Sequence, residues 1–139
     1  MQFNRAKRKD NGAWVYGYYA KVTSAIYDQP VSVIFPDDAV IYSHGEFDLF
    51  YEVDPDTVCR STGMTDIDGT PVYEHDIVDC WSEGVNARGE VQQRKDGLWI
   101  IYPAWQKHIM WGLCPDEYTH TTVKIIGNKF DNTELIKEQ

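Results

Sequence analysis

Asp66, Asp68 and Glu74 are the first residues whose types and spacing suggest chemistry. Asp-x-Asp-Gly followed by a glutamate resembles a calcium loop, in which oxygen ligands converge on a hard cation. An EF-hand needs its glycine at the sixth position and its glutamate at the twelfth. Here Gly69 arrives fourth and Glu74 ninth, so the segment reads as a structural turn. His75 stands between Glu74 and Asp76, with Cys80 beyond, which are ingredients for a metal site or for acid–base work. In an extended strand adjacent side chains point to opposite faces, so His75 and its two neighbours cannot converge. His108, Cys114 and His120 are evenly spaced at six residues, which matches no zinc pattern. Ser43-His44-Gly45 is sequential, whereas a triad needs spatial convergence. No G-x-S-x-G elbow, P-loop or dinucleotide fingerprint occurs. No catalytic residue, metal or cofactor is assigned, and the reading leans away from an enzyme.

Aromatic residues are the more suggestive group, at 14% of the chain. Trp99, Tyr102, Trp105, Trp111 and Tyr118 fall within twenty residues, with Lys107 and His108 among them. Such a cluster fills a small β core, forms a protein-binding or oligomer surface, or stacks bases. Trp99, Tyr102, Trp105 and Trp111 are carried forward as a tentative binding surface.

Strands must position these residues. Phe47, Leu49, Tyr51 and Val53 alternate with Asp48, Phe50, Glu52 and Asp54, giving one apolar face and one mostly acidic face. Runs at 13–22, 31–35, 39–42, 71–73, 76–81, 89–94, 98–102 and 121–126 are rich in aromatic and β-branched residues. Lys95-Asp96-Gly97 joins two of them in a strong hairpin signal, and Asp10-Asn11-Gly12 opens another run. Asn132 to Glu138 predicts a short helix with Asn132 as its N-cap. Pro103 to Tyr118 stays ambiguous. Short strands with turn residues between them indicate a small barrel or sandwich, in two β subdomains that meet near residues 56–62.

The chain of 139 residues carries 22 acids and 13 Lys or Arg, a net charge of −9. That balance argues against general phosphate-backbone binding. Arg5, Lys7, Arg8, Lys9 and Lys21 face only Asp10 within residues 1–27, a local +4. Residues 28–59 hold Asp28, Asp37, Asp38, Glu46, Asp48, Glu52, Asp54 and Asp56 with no Lys or Arg, a local −8. Such a basic end and acidic middle can pair within one fold or between subunits. Cys59, Cys80 and Cys114 are odd in number and widely spaced, unlike a secreted disulfide framework. The first residues lack the apolar core of a signal peptide, and the longest apolar stretch, 98–105, is too short to cross a bilayer. The expectation is a reduced, cytoplasmic protein.

Val53-Asp-Pro-Asp-Thr-Val58, Thr62-Gly63, Asp66, Gly69 and Tyr73-Glu74-x-Asp76-Ile77-Val78 together resemble the central signature of the YopX family of bacteriophages and prophages. Ile125-Ile126-Gly127-Asn128-x-x-x-Asn132-x-Glu134-Leu135 is similar to its second signature, and Phe3 through Trp14 and Gly17 to its opening. Gly63 and Gly69 offer left-handed turn geometry, and Asp66 can cap amides in the same turn. Thr62, Gly63, Asp66, Gly69, Tyr73, Glu74, Asp76, Gly127, Asn128 and Asn132 therefore read as scaffolding. This chain departs from the family at His75, where the family commonly has Gly, at Arg60-Ser61 and at Thr133. The resemblance implies an all-β fold with an SH3-like, partly open barrel over residues 59–139, an amino-terminal β subdomain over 1–58, and a mobile-element origin. It implies no agreed activity. The expected role is a non-catalytic β module in a bacterial host that self-associates or binds a host or phage protein. Nucleic acid, bound by aromatic stacking or imitated by the acidic stretch, is the alternative.

Overall fold

Asp10-Asn11-Gly12 reverses the chain after its first strand, and the amino-terminal sheet grows from that reversal. In the computed structural model, which describes residues 3–23, 28–36, 50–82, 84–103 and 110–136, β1 (Asn4–Lys7) and β2 (Trp14–Thr23) pair antiparallel with Ala6 opposite Val15. The Ala13 amide donates to Asn11 Oδ1 at 2.9 Å, an Asx turn that holds the reversal. β2 continues antiparallel into β3 (Pro30–Pro36), and β3 into the short β4 (Tyr51–Glu52). β5 (Cys59–Thr65) begins with Cys59 opposite Arg5 of β1. The chain divides within β5 into two compact units, Met1–Arg60 and Ser61–Gln139.

In the first unit, strand alternation sorts the side chains. Ala6, Ile34 and Val53 are fully buried, with Val15, Tyr19 and Val58 packed against them. Trp14, Tyr16 and Tyr18 occupy the other face of β2, where Tyr16 and Tyr18 stay exposed. In the second unit, β6 (Pro71–Tyr73) pairs with the remainder of β5. A five-stranded antiparallel sheet follows, built from β7 (Asp76–Ser82), β8 (Val85–Gln93), β9 (Trp99–Tyr102), β10 (Trp111–Gly112) and β11 (Lys124–Asn128) in the order β10-β9-β8-β7-β11. The β8–β9 hairpin turns through Lys95-Asp96-Gly97, with the Gly97 amide on the Arg94 carbonyl at 2.9 Å. Val78 and Cys80 of β7, Ala87 and Val91 of β8 and Ile101 of β9 form the core with Val72, Leu113 and Val123. Burying each valine or larger side chain is worth roughly 1.5–3 kcal/mol against leaving it in water.

The protein is therefore mainly β, in two antiparallel sheets, as its alternation predicts. The strand pairing by itself does not show the SH3-like, partly open barrel, and no barrel closes among the described residues. Two sequence expectations need correction. The carboxy-terminal helix is only a 3-10 turn over Thr133–Leu135, without a side-chain cap from Asn132. So short a helix cannot repay its nucleation cost, and the Asn132 oxygen is committed to the Asn128 amide instead. In addition, His75 does not lie in an extended strand, because Glu74 and His75 form a turn between β6 and β7, whose bounds follow the separate runs at 71–73 and 76–81. The strand expected at 39–42 and the first half of the alternating segment at 47–54 lie outside the described residues. Among the described residues no helix is long and apolar enough to cross a membrane.

Candidate functional site

The signature side chains gather at three turns of the second unit, where their polar atoms meet backbone. Asp66, 3% exposed, is the centre of the first. Its Oδ1 accepts from the Asp68 and Thr70 amides at 2.9 Å each, and its Oδ2 from Ile125 across the chain. Gly69, at φ +84°, closes this turn through its amide on the Asp66 carbonyl. Thr62 and Gly63 build an irregularity in the β5–β6 pairing. Thr62 Oγ1 donates to the Val72 carbonyl at 2.8 Å and accepts from the Met64 amide, while Gly63 takes φ +77°.

The second turn runs from Tyr73 to Asp76. Asp76 is 2% exposed, and its Oδ2 accepts from the Tyr73 amide at 2.8 Å. His75 takes φ +72°, a left-handed conformation that costs a side-chain-bearing residue on the order of 1 kcal/mol. Its Nδ1 lies 2.7 Å from Glu90 Oε2, and its ring meets Phe130 edge-on at 5.7 Å. At the third turn Asn132 Oδ1 accepts from the Asn128 amide at 3.1 Å, and Asn128 Oδ1 accepts from Phe130 and Asp131. Gly127 is required there, since a Cβ would come within 2.5 Å of Asn132 Oδ1. The Lys129 amide donates to the His75 carbonyl at 2.9 Å, linking the second and third turns.

The YopX protein family model matches residues 4–137. The chain belongs to the YopX family. No curated protein and no solved structure matches it significantly. The turn at position 75 demands φ near +72°, a conformation glycine adopts without strain, and this chain meets it with a histidine held by Glu90 and Phe130.

The tentative aromatic surface is only partly brought together. Trp99 and Trp111 pack against the core cluster, Tyr102 is half-buried, and Trp105 lies outside the described residues. Trp81, which sequence reasoning left aside, is 52% exposed and lines a cleft of about 470 Å³ with Met110, Trp111, Cys114 and Thr122. Its position in β7 carried the signal, because Trp81 alternates with the buried Val78 and Cys80. Cys80 lies at the cleft wall, and burial, helped by Asp79, pushes its thiol up to about 11. Cys114 is exposed. Among the described residues no three His, Cys, Asp or Glu side chains are grouped to hold a metal ion.

In the first unit the basic and acidic segments touch. Lys9 Nζ lies 3.3 Å from Glu52, and the Lys9 amide donates to the Glu52 carbonyl. Arg8 forks onto Asp10 at 2.9 and 2.5 Å and lies 4.5 Å over the Tyr51 ring. The Arg8 guanidinium holds the Asp10 carboxyl below its ordinary value. Arg5 and Lys7 stack over Trp14 at 4.7 and 5.4 Å.

Proposed function

We propose that this chain is a phage- or prophage-derived accessory protein that acts in the bacterial cytoplasm by binding another protein, and not by catalysis. One observation carries the reading. Asp66, Asp76, Asn128 and Asn132 each direct a side-chain oxygen at backbone amides, while Phe3, Tyr18, Phe50 and Trp81 remain about half exposed. A catalytic carboxylate has to meet a reacting proton or atom, whereas these oxygens meet the protein's own turns. Exposed aromatics, by contrast, are the side chains that dominate protein interfaces. The net charge of −9 weighs against a nucleic-acid partner.

The test compares tagged wild-type chain with Phe50→Ser and Trp81→Ser variants in a bacterial host. Quantitative capture should return proteins, additional copies of the chain included, that one variant loses while its melting curve stays unchanged. Equal capture by wild type and both variants would sink the proposal.

A further inference from the structure

Asn11 stands before Gly12 in the reversal between β1 and β2, whereas the other four asparagines precede Arg5, Ala87, Lys129 and Thr133. Asparagine before glycine is the pair most open to ring closure on its own backbone, because glycine has no side chain to crowd the approach. Asn11, Gly12 and Ala13 are exposed, and a Cβ at Gly12 would meet nothing within 4 Å. Room and water for the reaction are therefore present. Both reacting groups, however, are engaged elsewhere. The Gly12 amide donates to the Arg8 carbonyl at 2.9 Å, and Asn11 Oδ1 accepts from the Ala13 amide at 2.9 Å. The Arg8 amide on the Ala13 carbonyl, also at 2.9 Å, and the Arg8 fork on Asp10 tie the rest of the reversal together.

We propose that Asn11 is a site of spontaneous deamidation, and that opening of the β1–β2 reversal gates it. The Gly12 nitrogen, having lost its proton to water or hydroxide, attacks Asn11 Cγ. The N–Cγ bond forms, the Cγ–Nδ2 bond breaks, and ammonia leaves with a proton from solvent, giving a succinimide. Water then opens that ring at either carbonyl, to aspartate or to isoaspartate. No electrons are transferred, and water is the one co-reactant. In the closed reversal the proton that must leave is donated to Arg8, and the Asn11 side-chain amide is held by Ala13. Ring closure therefore waits for both bonds to break. A short exposed reversal opens at a lower free energy than the whole unit unfolds, so the folded chain still reaches the reactive state. The product alters the fold. Isoaspartate routes the main chain through the former side chain, one methylene longer. That insertion falls between Arg8 and Ala13, whose backbone bond continues the pairing of Lys7 with Trp14.

The full chain, aged in mildly alkaline buffer with and without urea and read by peptide-map mass spectrometry, tests this. In urea Asn11 should gain about one dalton, as NH₂ is replaced by OH, ahead of the other four asparagines. The folded chain should convert at the same residue at least about tenfold more slowly, the factor set by a reversal open less than about a tenth of the time. Hydrogen exchange at the Gly12 amide needs the same bond to Arg8 to break, so its protection should be of the same order as that ratio. The separated isoaspartyl form should unfold at lower urea than Asn11→Asp, which carries the same added charge on a backbone of normal length. Conversion in urea that does not favour Asn11 overturns the assignment. Equal rates in folded and unfolded chain overturn the gate, as does a slowing far greater than the protection of Gly12. An isoaspartyl form as stable as Asn11→Asp overturns the effect on the fold.

Discussion

Replacing Asp66 tests whether the family signature is scaffolding. Asp66→Ala removes three hydrogen bonds at once, those from the Asp68, Thr70 and Ile125 amides to its two oxygens. A hydrogen bond to a carboxylate is worth about 1.5–3 kcal/mol net, and turn amides that regain water give back part of that. At about 1–1.5 kcal/mol each, the variant should lose about 3–4 kcal/mol, a large share of the ~5–15 kcal/mol that stabilises an ordinary domain. The melting temperature should fall by about 10 °C. Asp66→Asn keeps the oxygen for Asp68 and Thr70 but turns an NH₂ toward the Ile125 amide, so its loss should be about half as large. Asp68→Ala removes only an exposed ion pair with Lys124 and should stay within about 0.5 kcal/mol of wild type. Urea unfolding followed by tryptophan fluorescence measures all three. The reasoning fails if Asp66→Ala lies within 1 kcal/mol of wild type, or if Asp66→Asn proves the more damaging change.

At position 75 the usual order of helix- and strand-forming residues should invert. His75→Ala keeps the left-handed φ and loses Glu90, whereas His75→Gly loses Glu90 but is relieved of the φ cost. The glycine variant should therefore be the more stable by about 1 kcal/mol in urea unfolding, and an alanine variant that is equal or better would refute it. Gly127→Ala should cost about 1–3 kcal/mol through its clash with Asn132, and Asn132→Gly should cost measurably less in that background than in wild type. Of the three cysteines, Cys114 alone should react with a thiol reagent in native protein at pH 8. Cys80, with its thiol raised to about 11, and the buried Cys59 should react only on unfolding. Above pH 9 the unfolded chain ionises Cys80 and the native chain does not. This contribution to stability is therefore intact below pH 9 and lost as pH rises toward 11, and a difference titration against Cys80→Ala should show it.

Much of the architecture was legible in sequence because strand alternation and turn chemistry are local. Gly97 after Asp96 placed the β8–β9 hairpin, and the run at 31–35 became β3 with one added residue at each end. The Asn132 helix was misread because a local cap signal cannot reveal that the same oxygen serves Asn128. The turn at Glu74-His75 escaped because histidine gives no warning of a positive φ, where glycine would have. Trp81 was passed over because exposure depends on which face of β7 the core occupies.

By itself the sequence determined the β character, the family, the segregated charge and the absence of a linear catalytic motif, all of which follow from residue types and short spacings. Only the tertiary structure decided what the signature residues touch and which aromatics remain in water. Asp66 reaches Ile125 across 59 positions, Lys9 meets Glu52 across 43, and Phe3 finds Tyr18 on the neighbouring strand. Pairing over such separations is set by which strands the whole chain can bury together, and no short spacing encodes it.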